Sequence, residues 1–427
     1  MTLIVIVFVV LLLINMPIAF TIGIAGTVFF LTSDMIPFSI TVQRVVAQTQ
    51  SIAFLAVPFF IFAGNLMNKT GITTRLLRFA SLLTRRMYGG MAQVNVVLST
   101  MMGGISGSAV ADASMQARVV GLNMIKKGYP RGYSAGITCL SSLITATIPP
   151  SLGLILYGFV GEVSIGKLFV AGIIPGFLMM IFLMVTVTIT SRRYKYDMPD
   201  PNAEKITLKE IMVDLKDSIW ALLFPIILIV GIRFGLFTPS EAGAFAVVYA
   251  LVIGKFVYKE LTWVKFKEAL KDSLIDNGAI ILIIALSGIF GYALSLENVP
   301  GIIGSALVGI SSNPQVMLII IVLFLAVAGM FIDSNVSVLL LTPIFLPVVK
   351  SMGVDPVYFG ILMMTIVTMG CMTPPVGTAL YTVCQVLDAP LEDFIKETIP
   401  FYTAVILLVI FLIFVPDVVM FLPNLIY

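Results

Sequence analysis

The chain has 427 residues, of which 59% are hydrophobic and 11% are charged, and it contains no histidine. Soluble globular chains carry about a quarter charged residues, so this composition excludes that class and predicts a polytopic membrane protein. A formal charge of +3 over so long a chain excludes nucleic acid as a partner, because it leaves no basic surface.

The apolar run that opens the chain, from Leu3 to Leu31, is interrupted by Pro17. It lacks the basic region and the small-residue cleavage site of a secretory signal peptide. We therefore expect it to form part of the fold as two short helices broken at Pro17. Further apolar runs on the scale of a membrane span recur at 51–67, 132–160, 166–190, 217–236, 240–257, 273–296, 357–385 and 398–425.

Clustered Lys and Arg occur in three polar segments, 68–88, 191–216 and 255–271. Because basic residues accumulate in cytoplasmic loops, all three segments are predicted to be cytoplasmic. The three cysteines, Cys139, Cys371 and Cys384, lie in apolar runs without CxxC spacing. We interpret them as buried apolar residues and expect neither a disulfide framework nor a metal cluster.

Two hydrophobic regions are interrupted by polar or glycine-rich centres. The first, 88–127, has basic residues at both ends and the centre Gly103–Ser108. A stretch that begins and ends on one side predicts a re-entrant helical hairpin, whose tip must face protein or a water-filled cavity. The second, 314–350, has the tip Gly329–Asn335. It follows a run expected to end outside, so this hairpin should enter from the opposite face.

Each hairpin precedes a span that contains a proline pair, Pro149-Pro150 or Pro374-Pro375, and the two pairs are about 225 residues apart. Matched positions in two halves predict an inverted repeat, with units 1–214 and 215–427 and broken helices at 132–160 and 357–385. The predicted fold is an all-α polytopic membrane protein with an inverted-topology repeat, two re-entrant hairpins and two broken helices. Both chain termini are expected outside the cytoplasm.

At these residues the sequence resembles the large membrane subunit of the tripartite ATP-independent periplasmic (TRAP) transporters, in the ion-transporter superfamily. The similarity covers the whole chain and is most specific at Ile148–Ser151, Gly235–Ala242, Asp355–Gly360 and Thr373–Gly377. It implies a bacterial inner-membrane permease that imports an acidic solute by a sodium-coupled elevator mechanism. It also implies a periplasmic substrate-binding protein and a small four-helix membrane subunit as partners.

Hydroxyl and carbonyl oxygens at the tips and breaks are the ligands that a hard cation such as sodium prefers. The predicted sodium ligands are Ser106, Ser108, Thr145, Ile148 and Pro150 in the first half, and Gly329, Asp333, Gly370, Thr373 and Val376 in the second. The predicted solute-binding residues are Gly107, Asp112, Ser334, Asn335 and Pro375. Asp112 can equally cap a helix, and Glu241 is interpreted as stabilising a helix start.

The segment before the first proline pair departs from the family pattern. Relatives often have a glycine-rich run there, whereas this chain has Ser141–Thr147 with four hydroxyl residues among seven. We expect hydroxyls to take the place of backbone groups in the first site. The tip 104–112 is similar to a branch that includes sialic-acid uptake systems, which favours sialic acid or another sugar acid as the solute.

Other functions are less consistent with the sequence. Uptake of a C4-dicarboxylate by the same machinery is the main alternative. A membrane-embedded enzyme or scaffold needs reactive groups that meet at one depth, and the sequence has neither a GxSxG nor an HExxH motif. A primary pump is excluded for this chain because it has no GxxxxGK[ST] loop. A channel is a further alternative, although a channel does not need two opposed hairpins.

We predict that Lys126 and Lys127 lie on the cytoplasmic side and Lys350 on the periplasmic side. The expectation follows from the basic ends of the first hairpin and from the inversion of the repeat. Single cysteines at these positions, labelled with an impermeant reagent from each side, provide the measurement. Equal labelling of both hairpin bases from the same side would contradict the two-hairpin topology.

Overall fold

A computed structural model describes residues 2–14, 16–32, 36–199, 206–311 and 313–427, which form helices and connecting segments without a strand. The helices of the first half are α1 (Thr2–Leu13), α2 (Ile18–Leu31), α3 (Ser39–Thr49), α4 (Ala56–Asn68), α5 (Ile72–Thr84), α6 (Gly90–Gly103), α7 (Ala109–Gln116), α8 (Leu122–Lys126), α9 (Arg131–Thr147), α10 (Leu152–Gly161) and α11 (Ile165–Tyr194). Those of the second half are α12 (Leu208–Arg233), α13 (Pro239–Val252), α14 (Trp263–Leu296), α15 (Val299–Ile310), α16 (Pro314–Phe331), α17 (Ser334–Ser351), α18 (Pro356–Cys371), α19 (Thr378–Leu387), α20 (Leu391–Phe414) and α21 (Pro416–Ile426).

Helices of membrane-spanning length confirm a polytopic membrane protein. Seven helices in the described residues are long and apolar enough to cross a bilayer, namely α11, α12, α13 with the π-helical turn that extends it, α14, α16, α17 and α20. The pair α9 and α10 makes an eighth candidate span, bent by 46° at Ile148–Ser151. The predicted break between α1 and α2 also occurs, because Pro17 immediately precedes α2.

Two predicted spans are wrong in extent. The run 51–67 contains α4, which has only 13 residues and a length of about 20 Å, less than the roughly 30 Å of a bilayer core. A short 3-10 turn, Ile52–Leu55, precedes it, and Gly71 with a φ of +71° separates it from α5. The run 398–425 is divided at Val415, because Pro416 disfavours a helical conformation in the residue before it.

Two helices extend beyond the predicted runs. Helix α14 has 34 residues and begins at Trp263, so it includes part of the polar segment 255–271. Helix α12 begins at Leu208, where Thr207 and Glu210 form a reciprocal capping box. The boundary between units 1–214 and 215–427 therefore falls inside α12, and the division into two repeats stays a prediction. Helices α3, α5 and α15 were not predicted.

Ion pairs bring the three basic segments together at one end of the molecule. Helix α5, the residue after it and the residue after α4 supply the cations, and the starts of α12 and α14 with the loop before α14 supply the acids. The pairs are Lys69 with Glu268 and Asp272, Arg75 with Glu260, Arg78 with Asp214 and Asp217, and Arg85 with Glu210. This common location is what the positive-inside rule requires, and the membrane side stays a prediction.

Both predicted hairpins form as helical pairs. In the first hairpin, α6 is joined through the tip 104–108 to α7, which a π-helical turn at Ala117–Gly121 connects to α8. In the second hairpin, α16 and α17 have 18 residues each and are separated only by Ile332 and Asp333. The arms of the second hairpin are thus long enough to cross a bilayer, and their re-entrant course stays a prediction.

The same set of helix contacts occurs in both halves of the chain. Helix α6 packs on α9 as α16 packs on α18, and α2 packs on α14 as α13 packs on α4. The second arm of each hairpin contacts the broken helix of the other half, α7 with α19 and α17 with α10. Helices α11 and α20 likewise pack on the opposite broken helix, α11 on α18 and α20 on α9.

A pair of glycines sets the separation between α16 and α18. A Cβ on Gly370 would lie 2.6 Å from the backbone of Gly329, and a Cβ on Gly329 would lie 2.5 Å from the carbonyl oxygen of Val367. The obstructing atoms belong to the backbone, so they cannot move aside as a flexible side chain would. The two helices therefore touch through their backbones at this level, as small residues permit in membrane proteins.

We predict that Gly370→Ala destabilises the protein by about 1–3 kcal/mol, the usual cost of overpacking. The matched control is Gly278→Ala in α14, where a new Cβ meets no atom within 4 Å. That change should be neutral or slightly stabilising, since Ala is the better helix former. Thermal unfolding of both variants in detergent provides the measurement. Equal unfolding temperatures would contradict the backbone contact.

Candidate functional site

The tip of the first hairpin closes against the break in the first broken helix. The N–H of Leu152 donates to the carbonyl oxygen of Gly107 at 3.1 Å. Gly107 has a φ of +61°, and a Cβ there would lie 2.5 Å from the carbonyl oxygen of Pro150. A larger residue would have to displace backbone and adopt an unfavourable conformation. Glycine is therefore required where the hairpin meets the break.

Serine hydroxyls surround this contact. Ser108 caps α7 by accepting from the N–H of Ala111, and Ser151 caps α10 by accepting from the N–H of Leu154, both at 3.4 Å. The Oγ of Ser106 is buried and has no hydrogen-bond partner among the described residues. A buried polar atom without a partner requires an explanation such as an ion or water. Ser106 therefore fits a cation ligand.

Asp112 lies behind the first tip and is 1% exposed. Its Oδ2 accepts from the hydroxyl of Ser99 at 3.1 Å, the side-chain amide of Gln116 at 2.7 Å and the hydroxyl of Thr145 at 2.8 Å. The cap of α7 is Ser108, so the alternative interpretation of Asp112 as the helix cap is wrong. The network instead fastens α6, α7 and α9 together behind the tip.

The second hairpin meets its broken helix through an equivalent bond. The N–H of Gly377 donates to the carbonyl oxygen of Met330 at 3.0 Å. Gly377 follows the second proline of its pair by two residues, as Leu152 does in the first half. The peptide bonds Pro149-Pro150 and Pro374-Pro375 are both cis. The two breaks thus share a proline pair and a hydrogen bond from the residue two positions later to the hairpin tip.

Polar groups of the second half lie on either side of that bond. The carboxylate of Asp333 caps α17 by accepting from the N–H of Asn335 at 2.9 Å. The hydroxyl of Thr373 donates to the carbonyl oxygen of Met369 at 2.7 Å, which leaves its lone pairs available as acceptors. Val376 is 41% exposed, whereas Gly329 and Gly370 are buried in the contact between α16 and α18.

Both hairpin tips open onto one cavity of about 470 Å³. Helices α4 and α14 form its opposite wall. The predicted site residues that line this cavity are Ser106, Gly107, Ser108, Pro150, Asp333 and Asn335. The others lie outside its lining: Asp112, Thr145, Ile148, Gly329, Ser334, Gly370, Thr373, Pro375 and Val376. In this structure, these nine residues are therefore not placed to contact a solute in the cavity.

Three polar residues of the opposite wall were not predicted from the sequence. They are Asn65 and Asn68 of α4 and Asp276 of α14. The side-chain amide of Asn65 donates to the carboxylate of Asp276 at 3.1 Å and to the hydroxyl of Ser273 at 3.0 Å. The available signal was an acid inside the predicted span 273–296, since an acid within a span is a candidate functional residue.

The charge around the cavity comes from carboxylates and helix ends. Asp276 and Asp333 line it, and no Lys or Arg is among its described lining residues. Three helices begin at its edge, because Ser108, Leu152 and Asp333 stand at the N-termini of α7, α10 and α17. Helix N-termini attract anions, whereas the carboxylates attract cations. The cavity is suited to an anion and a cation together.

Relatives of this chain include three permeases whose names specify acidic solutes. It is 35% identical to the sialic acid TRAP transporter large permease SiaM of Vibrio cholerae, over 96% of this chain and 95% of that protein. It is 32% identical to the 2,3-diketo-L-gulonate large permease YiaN of Escherichia coli, over 95% of each chain. It is 32% identical to the C4-dicarboxylate large permease DctM of Pseudomonas aeruginosa, over 87% of this chain and 86% of that protein.

The fold is similar to that of a solved transporter. The crystal structure of YdaH from Alcanivorax borkumensis superposes with a TM-score of 0.65 at 13% identity, over 86% of each chain. The family described as tripartite ATP-independent periplasmic transporter, DctM component, matches residues 5–418. The superposition supports the overall all-helical transporter fold. The chain belongs to the DctM family and is the large permease subunit of a TRAP transporter.

Proposed function

We propose that this permease imports an acidic organic solute together with sodium across the bacterial inner membrane. The observation that carries the proposal is the cavity where three helix N-termini meet Asp276 and Asp333 without a basic side chain in the described lining. An anionic solute would be repelled by the two carboxylates unless cations neutralise them. Sodium bound at the tips supplies that positive charge and makes solute binding depend on sodium.

The proposed sodium sites are the two contacts between a hairpin tip and a helix break. The first has Ser106, Ser108, Thr145, Ile148 and Pro150, and the second has Gly329, Asp333, Gly370, Thr373 and Val376. The buried hydroxyl of Ser106, which has no hydrogen-bond partner in the described part of the chain, supports the first site. The tip-to-break bond between Met330 and Gly377 supports the second, because it holds hairpin oxygens next to the carbonyls released by the prolines.

For the solute we propose sialic acid or another sugar acid, with a C4-dicarboxylate as the alternative. Of the predicted solute-binding residues, Gly107 and Asn335 line the cavity and would contact the solute, whereas Asp112, Ser334 and Pro375 would support the site from outside its lining. The named solutes of the three relatives are all acids, which supports the class. Uptake into proteoliposomes, measured with a panel of sugar acids and dicarboxylates, tests the choice. An enzyme or scaffold is disfavoured because the family is one of transporter permeases.

An elevator movement of the hairpins and broken helices follows from the proposed repeat. The paired contacts of α7 with α19 and of α17 with α10 support one body made of both hairpins and both broken helices. Helices α4 and α14 face this body across the cavity. In the proposed mechanism, the body carries solute and sodium past that wall, and both termini of the chain lie in the periplasm.

We predict that the purified chain transports poorly alone. The proposed partners are a small four-helix membrane subunit and a periplasmic substrate-binding protein, and the name of the matching family describes a tripartite transporter with this component. Sodium-driven uptake should appear in proteoliposomes only when both partners are present. The measurement compares initial uptake with each partner omitted in turn. Robust uptake by this chain alone would contradict the partnership.

We predict that Thr373→Val raises the sodium concentration needed for half-maximal uptake by roughly ten-fold or more. The change keeps the shape of the side chain and removes one oxygen, and a hydrogen-bond-strength contact to a charged group is worth about 1.5–3 kcal/mol. Expression should change little. Initial uptake against sodium concentration is measured for this variant and for Ser81→Ala in α5 as control. Parental sodium dependence in Thr373→Val would remove Thr373 from the second site.

A further inference from the structure

A carboxylate outside the cavity joins both ends of the first hairpin. Asp197 lies in the turn after α11, and its Oδ2 accepts from the N–H of Met91 at 2.9 Å and from the hydroxyl of Tyr129 at 3.3 Å. Its Oδ1 lies 3.2 Å from the Nζ of Lys127. Met91 is in the first turn of α6, whereas Lys127 and Tyr129 directly follow α8. One side chain therefore contacts both ends of the hairpin, the start of α6 and the residues after α8, which we call its two feet.

The backbone of the same turn makes a further contact with the first foot. The N–H of Gly89 donates to the carbonyl oxygen of Asp197 at 3.1 Å. Gly89 has a φ of +71°, and a Cβ there would lie 2.2 Å from the Oγ of Ser191 near the end of α11. The glycine thus allows the end of α11 to approach the hairpin foot closely.

Aromatic rings cover this junction. Tyr196 packs against Tyr129 with ring centroids 5.6 Å apart and against Tyr133 with centroids 5.3 Å apart. The guanidinium of Arg192 lies 4.1 Å from the ring centre of Tyr88. Partial burial strengthens a charged hydrogen bond relative to one in water, and the side chain of Asp197 is only 18% exposed. The start of α6, the residues after α8 and the turn after α11 are therefore held together in a partly buried contact.

The caps at the base of the second hairpin act locally. Asn313 accepts from the N–H of Gln315 at the start of α16, and Asp355 accepts from the N–H groups of Val357 and Tyr358 at the start of α18. Each of these side chains bonds within its own helix start. A carboxylate that bonds to both feet is found, in the part of the chain that is described, only at the first hairpin.

We propose that Asp197 is a positioning residue for sodium coupling, because it fixes the separation of the two feet of the first hairpin and thereby the place of its tip. This inference rests on the proposed sodium-coupled function. A shift at the feet would reach the tip along α6, a continuous helix that runs from Gly90 to Gly103. A Cβ on Gly103, at the far end of α6, would lie 2.9 Å from the side chain of Ile148 at the break. The tip oxygens of the first sodium site move with that contact.

The test measures uptake with the complete transporter, reconstituted with the small subunit and the binding protein. Initial rates against sodium concentration give the half-saturating sodium concentration and the maximal rate for each variant. Asp197→Ala should raise the half-saturating concentration by about three- to ten-fold, with a maximal rate per folded protein close to parental. Asp197→Asn keeps an acceptor oxygen but loses the charge, so it should lie between the two. Lys127→Gln should resemble Asp197→Asn, since both remove the same ion pair.

The matched control is Asp417→Ala, an exposed acid in the first turn of α21, which should keep the parental sodium dependence. A merely structural role would lower yield, unfolding temperature or maximal rate and leave the half-saturating concentration unchanged, and that result would overturn the proposal. If Asp197→Ala fails to fold, Asp197→Asn and Lys127→Gln decide by the same criterion. A parental protein without sodium-dependent uptake would overturn the proposed function itself and this inference with it.

Discussion

The structure depends on how a membrane protein satisfies backbone groups where a helix is broken. Lipid offers no hydrogen bonds, so a break is tolerated only where protein or water meets it. In this chain each break is met by the tip of its own hairpin, through Leu152 with Gly107 and Gly377 with Met330. The hairpins, the glycines at their tips and the cavity between them all follow from that requirement.

The two halves solve the same problem with different chemistry. Behind the first tip, Asp112 holds three helices through the side chains of Ser99, Gln116 and Thr145. Behind the second, Gly329 and Gly370 let two backbones touch. This difference agrees with the hydroxyl-rich segment Ser141–Thr147, which supplies Thr145 to the first network. The first contact can therefore be altered by changing one side chain, whereas the second depends on how closely two helices approach.

Local sequence signals were sufficient for the hairpins and the breaks, because glycine and proline act on the residues next to them. The bend at Ile148–Ser151 and the break between Cys371 and Thr378 each contain a proline pair, so local sequence was enough to predict them. The features that the sequence did not predict depend on the tertiary structure. The short α4 was taken for a full span, since its apolar composition does not encode its length. The wall residues Asn65 and Asp276 are about 210 residues apart in the sequence. No local sequence pattern therefore predicts that they come into contact.

The length of α14 links the solute cavity to the thickness of the bilayer. Its 34 residues extend about 50 Å, against a hydrocarbon core of about 30 Å. At its start, Trp263 stacks on Phe266 and lies under the ammonium group of Lys267. The residues from Trp263 to Asp272 include five charged side chains, so the apolar part of the helix, 273–296, is about 36 Å long and exceeds the core by only a few Å, which a helix accommodates by tilting. Because Asp276 and Ile283 of this helix line the cavity, its tilt sets the depth in the bilayer of the wall that faces the two hairpin tips.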